Sequence, residues 1–113
     1  MTEIRELKSE AELEEALSGG VVVLYKHSPY CGLSTMARHE IFFFAEGNPD
    51  VPVYQVDVIH QRPLSQKIEQ RMQIEHESPQ VILVRDGKPL SWASHRGVTA
   101  HALEKELERV TAG

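Results

Sequence analysis

The feature that most narrows the fold is the run Val21 to Tyr25, five consecutive apolar residues rich in β-branched side chains. A strand apolar on both faces has to be covered on both faces, the situation of an inner strand with helices packed above and below it. The chain then passes through "KHSPY" into Cys31, after which Leu33, Met36, Ala37, Ile41, Phe44 and Ala45 recur at three- and four-residue steps. That spacing predicts an amphipathic helix, ended by Gly47, Asn48 and Pro49. Cys31 therefore stands where strand turns into helix.

The rest of the chain extends this pattern. Ser9 with Glu12 three residues on is a capping box, and Leu13, Ala16 and Leu17 follow before Gly19 and Gly20, predicting a helix over 9–18. A short strand fits Ile4 to Leu7. Val53 to Val58 predicts a second inner strand. Arg62 to Ile74, with Pro63 in its first turn and Leu64, Ile68 and Met72 in register, predicts a second crossover helix. Val81 to Arg85, a turn at Asp86 and Gly87, and Leu90 to Ala93 predict an antiparallel hairpin. Thr99 then caps a last helix carrying Leu103, Leu107 and Val110. Strand, helix, strand and helix followed by hairpin and helix imply an α/β fold, a central mixed β-sheet flanked by helices. One domain spanning residues 1–113 is expected, long enough to bury a core without staples.

Seventeen acidic against twelve basic residues give a formal charge of −5, which argues against attraction to nucleic acid phosphates. No segment has the length and apolarity of a membrane span, and the charged start MTEIRELKSE resembles neither a secretory signal nor an anchor. With a single free thiol the expected compartment is the cytoplasm. Six histidines invite a metal reading, but His27, His39, His60, His76, His95 and His101 show no paired ligand spacing, so no metal is expected.

The lone cysteine has two fates. It is either a small buried hydrophobe or a reactive group. Its place at a helix start favours reactivity, because unpaired backbone N–H groups and the positive end of the helix dipole stabilise thiolate over thiol. Ser34, one turn along, can donate a hydrogen bond to that thiolate but cannot attack a disulfide; otherwise it is an ordinary first-turn serine. His27, four residues before Cys31, is either a surface histidine or an imidazolium that steadies the thiolate. Lys26 is expected to point to water. Phe42, Phe43 and Phe44 are expected to pack in the core.

The segments "YKHSPYCGLS", "VDVIHQRPLSQKI", "ESPQVILVRDGKPLSWASH" and "VTAHALEKEL", in that order, resemble the monothiol bacilliredoxins, the YtxJ-like family of the bacillithiol system, within the thioredoxin-like superfamily. The resemblance runs from about Ile4 to Val110. It places Ser34 at the family's serine three residues after the cysteine, although Gly32 and Leu33 stand where proline and isoleucine are usual. Arg96 and Gly97 likewise replace the tryptophan usual after the Ser-His pair.

What the resemblance implies is a thioredoxin-like fold in which Ser78-Pro79 is cis and faces the thiol. It also implies a monothiol thiol-disulfide oxidoreductase that removes bacillithiol from protein mixed disulfides through Cys31. Tyr25 falls where dithiol thioredoxins carry a buried acid, in keeping with a one-cysteine mechanism. The partners implied are S-thiolated client proteins and bacillithiol or another low-molecular-weight thiol as co-substrate, with no bound cofactor, no membrane, and a monomer. In such folds the start of the last helix lies beside the proline loop, so Ser78, Pro79, Arg96 and Thr99 are candidates to bind substrate. Thr99 opens first-turn N–H groups to an anion and Arg96 can hold a carboxylate, unless the one is only a cap and the other only a loop arginine. Two other readings remain open. Cys-Gly-Leu-Ser is one residue from the Cys-Gly-Phe-Ser of monothiol glutaredoxins that carry iron–sulfur clusters, though "SHRGVTA" lacks their Gly-Gly pair. A noncatalytic redox-sensing module on the same scaffold is the other.

Overall fold

The computed structural model describes residues 3–112. In chain order it contains β1 (Ile4–Glu6), α1 (Glu10–Ala16), β2 (Val21–His27), α2 (Gly32–Gly47), β3 (Val53–Asp57), α3 (Arg62–Met72), β4 (Gln80–Arg85), β5 (Lys88–Ser94), a 3-10 turn at His95–Gly97, and α4 (Ala100–Ala112). The strands form one sheet in the order β1-β3-β2-β4-β5, with β1, β3 and β2 parallel and β4 and β5 antiparallel to their neighbours. The mixed, helix-flanked sheet expected from the sequence is present, with β2 at its centre.

Each face of the sheet builds its own core. Val22 and Leu24 of β2 meet Leu13 of α1 and Leu64, Ile68 and Met72 of α3. Val23 and Tyr25 point the other way, against Ala37, Ile41 and Phe44 of α2 and Leu103 of α4. The period-2 alternation of a strand thus divides one apolar run between two layers of helix. Only one of the three consecutive phenylalanines follows the expectation of core packing. Phe44 is wholly buried, whereas Phe42 and Phe43 are 46% and 61% exposed. Successive helical residues are turned by about 100°, so a helix that docks through one stripe cannot bury all three.

Local chemistry sets the ends of the elements. The Ser9 hydroxyl accepts from Glu12 N–H at 3.1 Å, while the Glu12 carboxylate reaches one residue beyond the usual box, to Lys8 N–H at 2.7 Å. The β4-β5 turn places Asp86 and Gly87 at φ 50° and 80°, the left-handed pair a two-residue hairpin requires. Pro89 lies on the edge strand opposite Val84, where the register shifts, so its missing N–H interrupts no inner ladder.

Lys26 corrects the expectation that it points to water. It is 1% exposed on the α1/α3 side of β2, and its ammonium donates to His76 Nδ1 at 2.9 Å and Gln80 Oε1 at 3.2 Å. Burial lowers its pKa from the ordinary 10.5 to about 8, with the Glu69 carboxylate opposing the shift. Between those values the unfolded chain binds more protons at this site than the folded one, so stability from Lys26 rises with pH across that window. Urea unfolding of the protein and of Lys26→Met at several pH values should therefore show the native chain gaining on the variant from pH of about 8 to about 10.5. A constant difference across that window would mean that Lys26 keeps an ordinary pKa in the fold.

Candidate active site

β2 ends at His27, and five residues later α2 begins with Cys31 as its N-cap residue, at φ −117° and ψ 122°. Extended backbone at that position turns the first-turn N–H groups of the helix toward the cap side chain. Cys31 is half-buried and its side chain makes no conventional capping bond. The Cys31 pKa is lowered, first by the Ser34 backbone N–H, then by that of Leu33, against a small opposing burial effect, and last by the Ser34 hydroxyl. The sulfur therefore holds charge where the helix has donors to spare.

Ser34 is wholly buried beneath it. Its Oγ accepts the Ser28 N–H at 3.3 Å, which closes the loop between strand and helix, and this leaves its one proton for the sulfur. The Ser34 carbonyl accepts the Tyr25 hydroxyl at 2.9 Å, and the same Tyr25 oxygen lies 2.9 Å from His27 Nδ1. A phenol has one proton to give. Because that proton goes to Ser34, His27 has to donate from Nδ1, which fixes its tautomer and leaves Nε2 as the free nitrogen. Burial, then the Arg38 charge, lower the His27 pKa, with Asp57 partly offsetting them. This works against one of the two sequence readings, an imidazolium steadying the thiolate, and the path from His27 to Cys31 runs through Tyr25 and Ser34. Burial also pushes the Tyr25 phenol well above its ordinary range, so it stays a donor.

A second chain of contacts reaches the residue before the cysteine. Asp57 Oδ1 accepts Ile59 and His60 N–H, both at 2.9 Å, and Oδ2 accepts His60 Nδ1 at 2.7 Å. Burial raises the Asp57 pKa, but these hydrogen bonds more than offset it and hold the carboxylate ionised. His60 Nε2 lies 3.4 Å from the hydroxyl of Tyr30. Sequence reasoning weighed His60 only as a metal ligand and gave Tyr30 no role, because a separation of 30 positions gives no local signal of contact.

The candidate binding residues fall on one side of α2. The Ser78-Pro79 peptide is cis, and the Pro79 carbonyl accepts His95 N–H at 2.8 Å, which ties the proline loop to the 3-10 turn. Arg96 and Thr99 line a cavity of about 200 Å³ with Leu33, Met36 and Glu40 of α2. Ser78 is not among its lining residues, and its buried hydroxyl has no partner among the described residues. The helix start itself is partly occupied. Glu40 accepts Ala100 N–H at 2.9 Å and Thr99 Oγ1 accepts Ala102 N–H at 3.1 Å, so two of the N–H groups expected to receive an anion after Thr99 carry protein ligands. Among the described residues no three His, Cys, Asp or Glu side chains gather as metal ligands. No helix of the described residues is long and apolar enough to cross a membrane.

Comparison with known proteins agrees with this geometry. The family model described as "Monothiol bacilliredoxin BrxC" matches residues 2–103. A solved structure described as a provisionally assigned oxidoreductase with a thioredoxin fold is 25% identical, covering 93% of this chain and 94% of its own, with a TM-score of 0.87. Thioredoxin from Trypanosoma brucei brucei is 17% identical over 99% of this chain and 94% of its own, with a TM-score of 0.84. Mitochondrial thioredoxin 3 from Saccharomyces cerevisiae, in its oxidised form, is 20% identical over 94% of each chain, with a TM-score of 0.76. The fold is that of thioredoxin.

The order of influences on Cys31 gives a direct test. Ser34→Ala removes the hydroxyl donor but keeps the backbone N–H that acts most strongly. The midpoint of the pH profile for iodoacetamide alkylation should rise in the variant and still lie below that of a free cysteine peptide. A midpoint equal to the peptide's would place the hydroxyl, not the helix start, at the origin of the effect.

Proposed function

The chain belongs to the monothiol bacilliredoxin family, and from that premise we propose that it removes bacillithiol from protein mixed disulfides through Cys31. Thiol redox chemistry follows from family and fold. The observation that carries the narrower reading is the chain's one thiol, capping α2 against the Leu33 and Ser34 N–H groups with no second cysteine to resolve it.

In the proposed cycle the Cys31 thiolate attacks the bacillithiol sulfur of the mixed disulfide. A Cys31–bacillithiol disulfide forms as the client's S–S bond breaks, and the client leaves as a thiolate that takes its proton from water. A second bacillithiol thiolate then attacks the bacillithiol sulfur of the capped enzyme, releasing bacillithiol disulfide and restoring the Cys31 thiolate. Attack on the client's sulfur in the first step would instead join enzyme to client, a dead end for a one-thiol catalyst. Ser34 tunes the nucleophile, while His27, held neutral by burial and Arg38, positions Tyr25 and through it the Ser34 carbonyl.

The client approaches along Ser78 and Pro79, with Arg96 and Thr99 bordering its path beside the first turn of α2. Support for this approach is the cavity formed by Arg96, Thr99, Leu33 and Met36, which offers apolar wall and one cation to a peptide. The enzyme works as a monomer in the reducing cytoplasm, with bacillithiol as co-substrate and no resident cofactor.

Incubation of a bacillithiol-capped client with the protein, followed by intact-mass spectrometry, tests the reading. The client should lose one bacillithiol mass while Cys31 gains it. Cys31→Ala should abolish the transfer, and Ser34→Ala should slow it without abolishing it. Retention of the bacillithiol on the client in the presence of the native protein would overturn the proposal.

A further inference from the structure

We propose that the cavity on the opposite flank of α2, lined by His27, Thr35, Arg38, His39 and Phe42, seats the anionic end of the small thiol while its sulfur is bonded to Cys31. The proposal rests on the mixed-disulfide cycle above and adds a binding site to it. At about 430 Å³ this cavity is twice the size of the one beside Arg96, at about 200 Å³.

Its position follows from helical geometry. Residues 31, 35, 38 and 42 stand at i, i+4, i+7 and i+11, one stripe leading away from the thiol down the same helix. Seven residues of helix separate Cys31 from Arg38 by about 10.5 Å along the axis. A thiol the size of an extended tripeptide spans about 10 Å. A ligand of that size anchored at Cys31 thus reaches Arg38 with its far end.

The charges sort the two flanks. None of the five residues lining the larger cavity is acidic. Arg38 donates from Nε to Gln55 Oε1 at 2.6 Å, and the buried Gln55 is itself held by Nε2 to Glu6 Oε2 at 3.2 Å. The guanidinium plane is therefore fixed while its two terminal nitrogens have no acceptor among the described residues, the arrangement that receives a carboxylate. Of the acids around the cavity, Asp57 has both oxygens committed to Ile59 and His60, and Glu6 reaches Arg38 only through the Gln55 amide. His27 lines the cavity with its Nε2 unbonded, Thr35 turns its hydroxyl back to the Cys31 carbonyl at 3.4 Å, and Phe42, 46% exposed, gives an apolar wall for the ligand's carbon skeleton. The Arg96 cavity, in contrast, contains the Glu40 carboxylate on the start of α4. There an anion meets a carboxylate beside the Arg96 cation, whereas here it meets a cation with no acid in the lining.

The experiment compares two mixed disulfides of one client, capped either with anionic bacillithiol or with uncharged mercaptoethanol. In Arg38→Gln the ratio of KM for the first substrate to KM for the second should rise about tenfold or more, since a charge-assisted hydrogen-bond pair is lost, and Arg38→Lys should restore part of it. An unchanged ratio overturns the site. A readout independent of turnover separates failure of this site from failure of the proposed activity. The native protein is capped at Cys31 with bacillithiol or with mercaptoethanol and observed by NMR. Bacillithiol alone should shift the Arg38 Nε–H and the His27 and His39 ring signals. Shifts centred on Arg96 and Thr99 instead, or the same shifts from both caps, would refute it.

Discussion

The active end of this molecule depends on one phenolic hydroxyl. Tyr25 sits mid-sheet, paired with Gln55 on one side and Val81 on the other, and its oxygen joins the end of β2 to the first turn of α2 through His27 and the Ser34 carbonyl. Burial raises the affinity of that oxygen for its proton, so the link persists as a neutral hydrogen bond across the range in which a thiol titrates. A strand and a helix meeting at a tight turn would otherwise leave the turn free to rock. Here the Ser28 N–H on Ser34 Oγ and the Tyr25 hydroxyl on Ser34 O hold both ends of the same residue. The sulfur is presented by the scaffold and not by a loop.

That rigidity gives α2 two separate flanks. Leu33, Met36 and Glu40 face the proline loop and α4, and Thr35, Arg38, His39 and Phe42 face outward past β3. An enzyme acting on a disulfide between a protein and a small thiol has two dissimilar bodies to accommodate around one sulfur–sulfur bond. A helix starting at the nucleophile divides the space between them, and the two flanks differ in their charges, one setting the Glu40 carboxylate beside Arg96 and the other holding Arg38 with no acid in its lining.

Much of this was legible in the sequence because the informative signals are local. Gly19-Gly20, Gly47-Asn48-Pro49 and Asp86-Gly87 mark element ends that the structure keeps, and the apolar run before Cys31 identified the inner strand. The strand runs two residues past the expected Tyr25, and that extension puts Tyr25 and His27 on one face and in contact. What stayed hidden depends on partners distant in the chain. Lys26 is buried because His76 and Gln80, 50 and 54 residues on, supply acceptors that no local pattern announces. The start of α4 receives Glu40, 60 residues earlier, on its Ala100 N–H, so a helix terminus that looked open already holds a carboxylate. Phe42 and Phe43 were misjudged for a different reason: three adjacent aromatics suggest a core by composition, while the helical period admits only Phe44.

The complete burial of Ser34 reaches beyond its effect on the thiolate. A cysteine exchanged into position 34 would lie beneath the surface, its carbonyl already held by a phenol that gives a proton and takes none. The sulfur would be present but would stay protonated where nucleophilic attack is needed. What a second thiol at position 34 could do on this scaffold therefore depends on the group that position 25 supplies. Positions 25 and 34, nine residues apart in the sequence, thus act on the helix start as one unit.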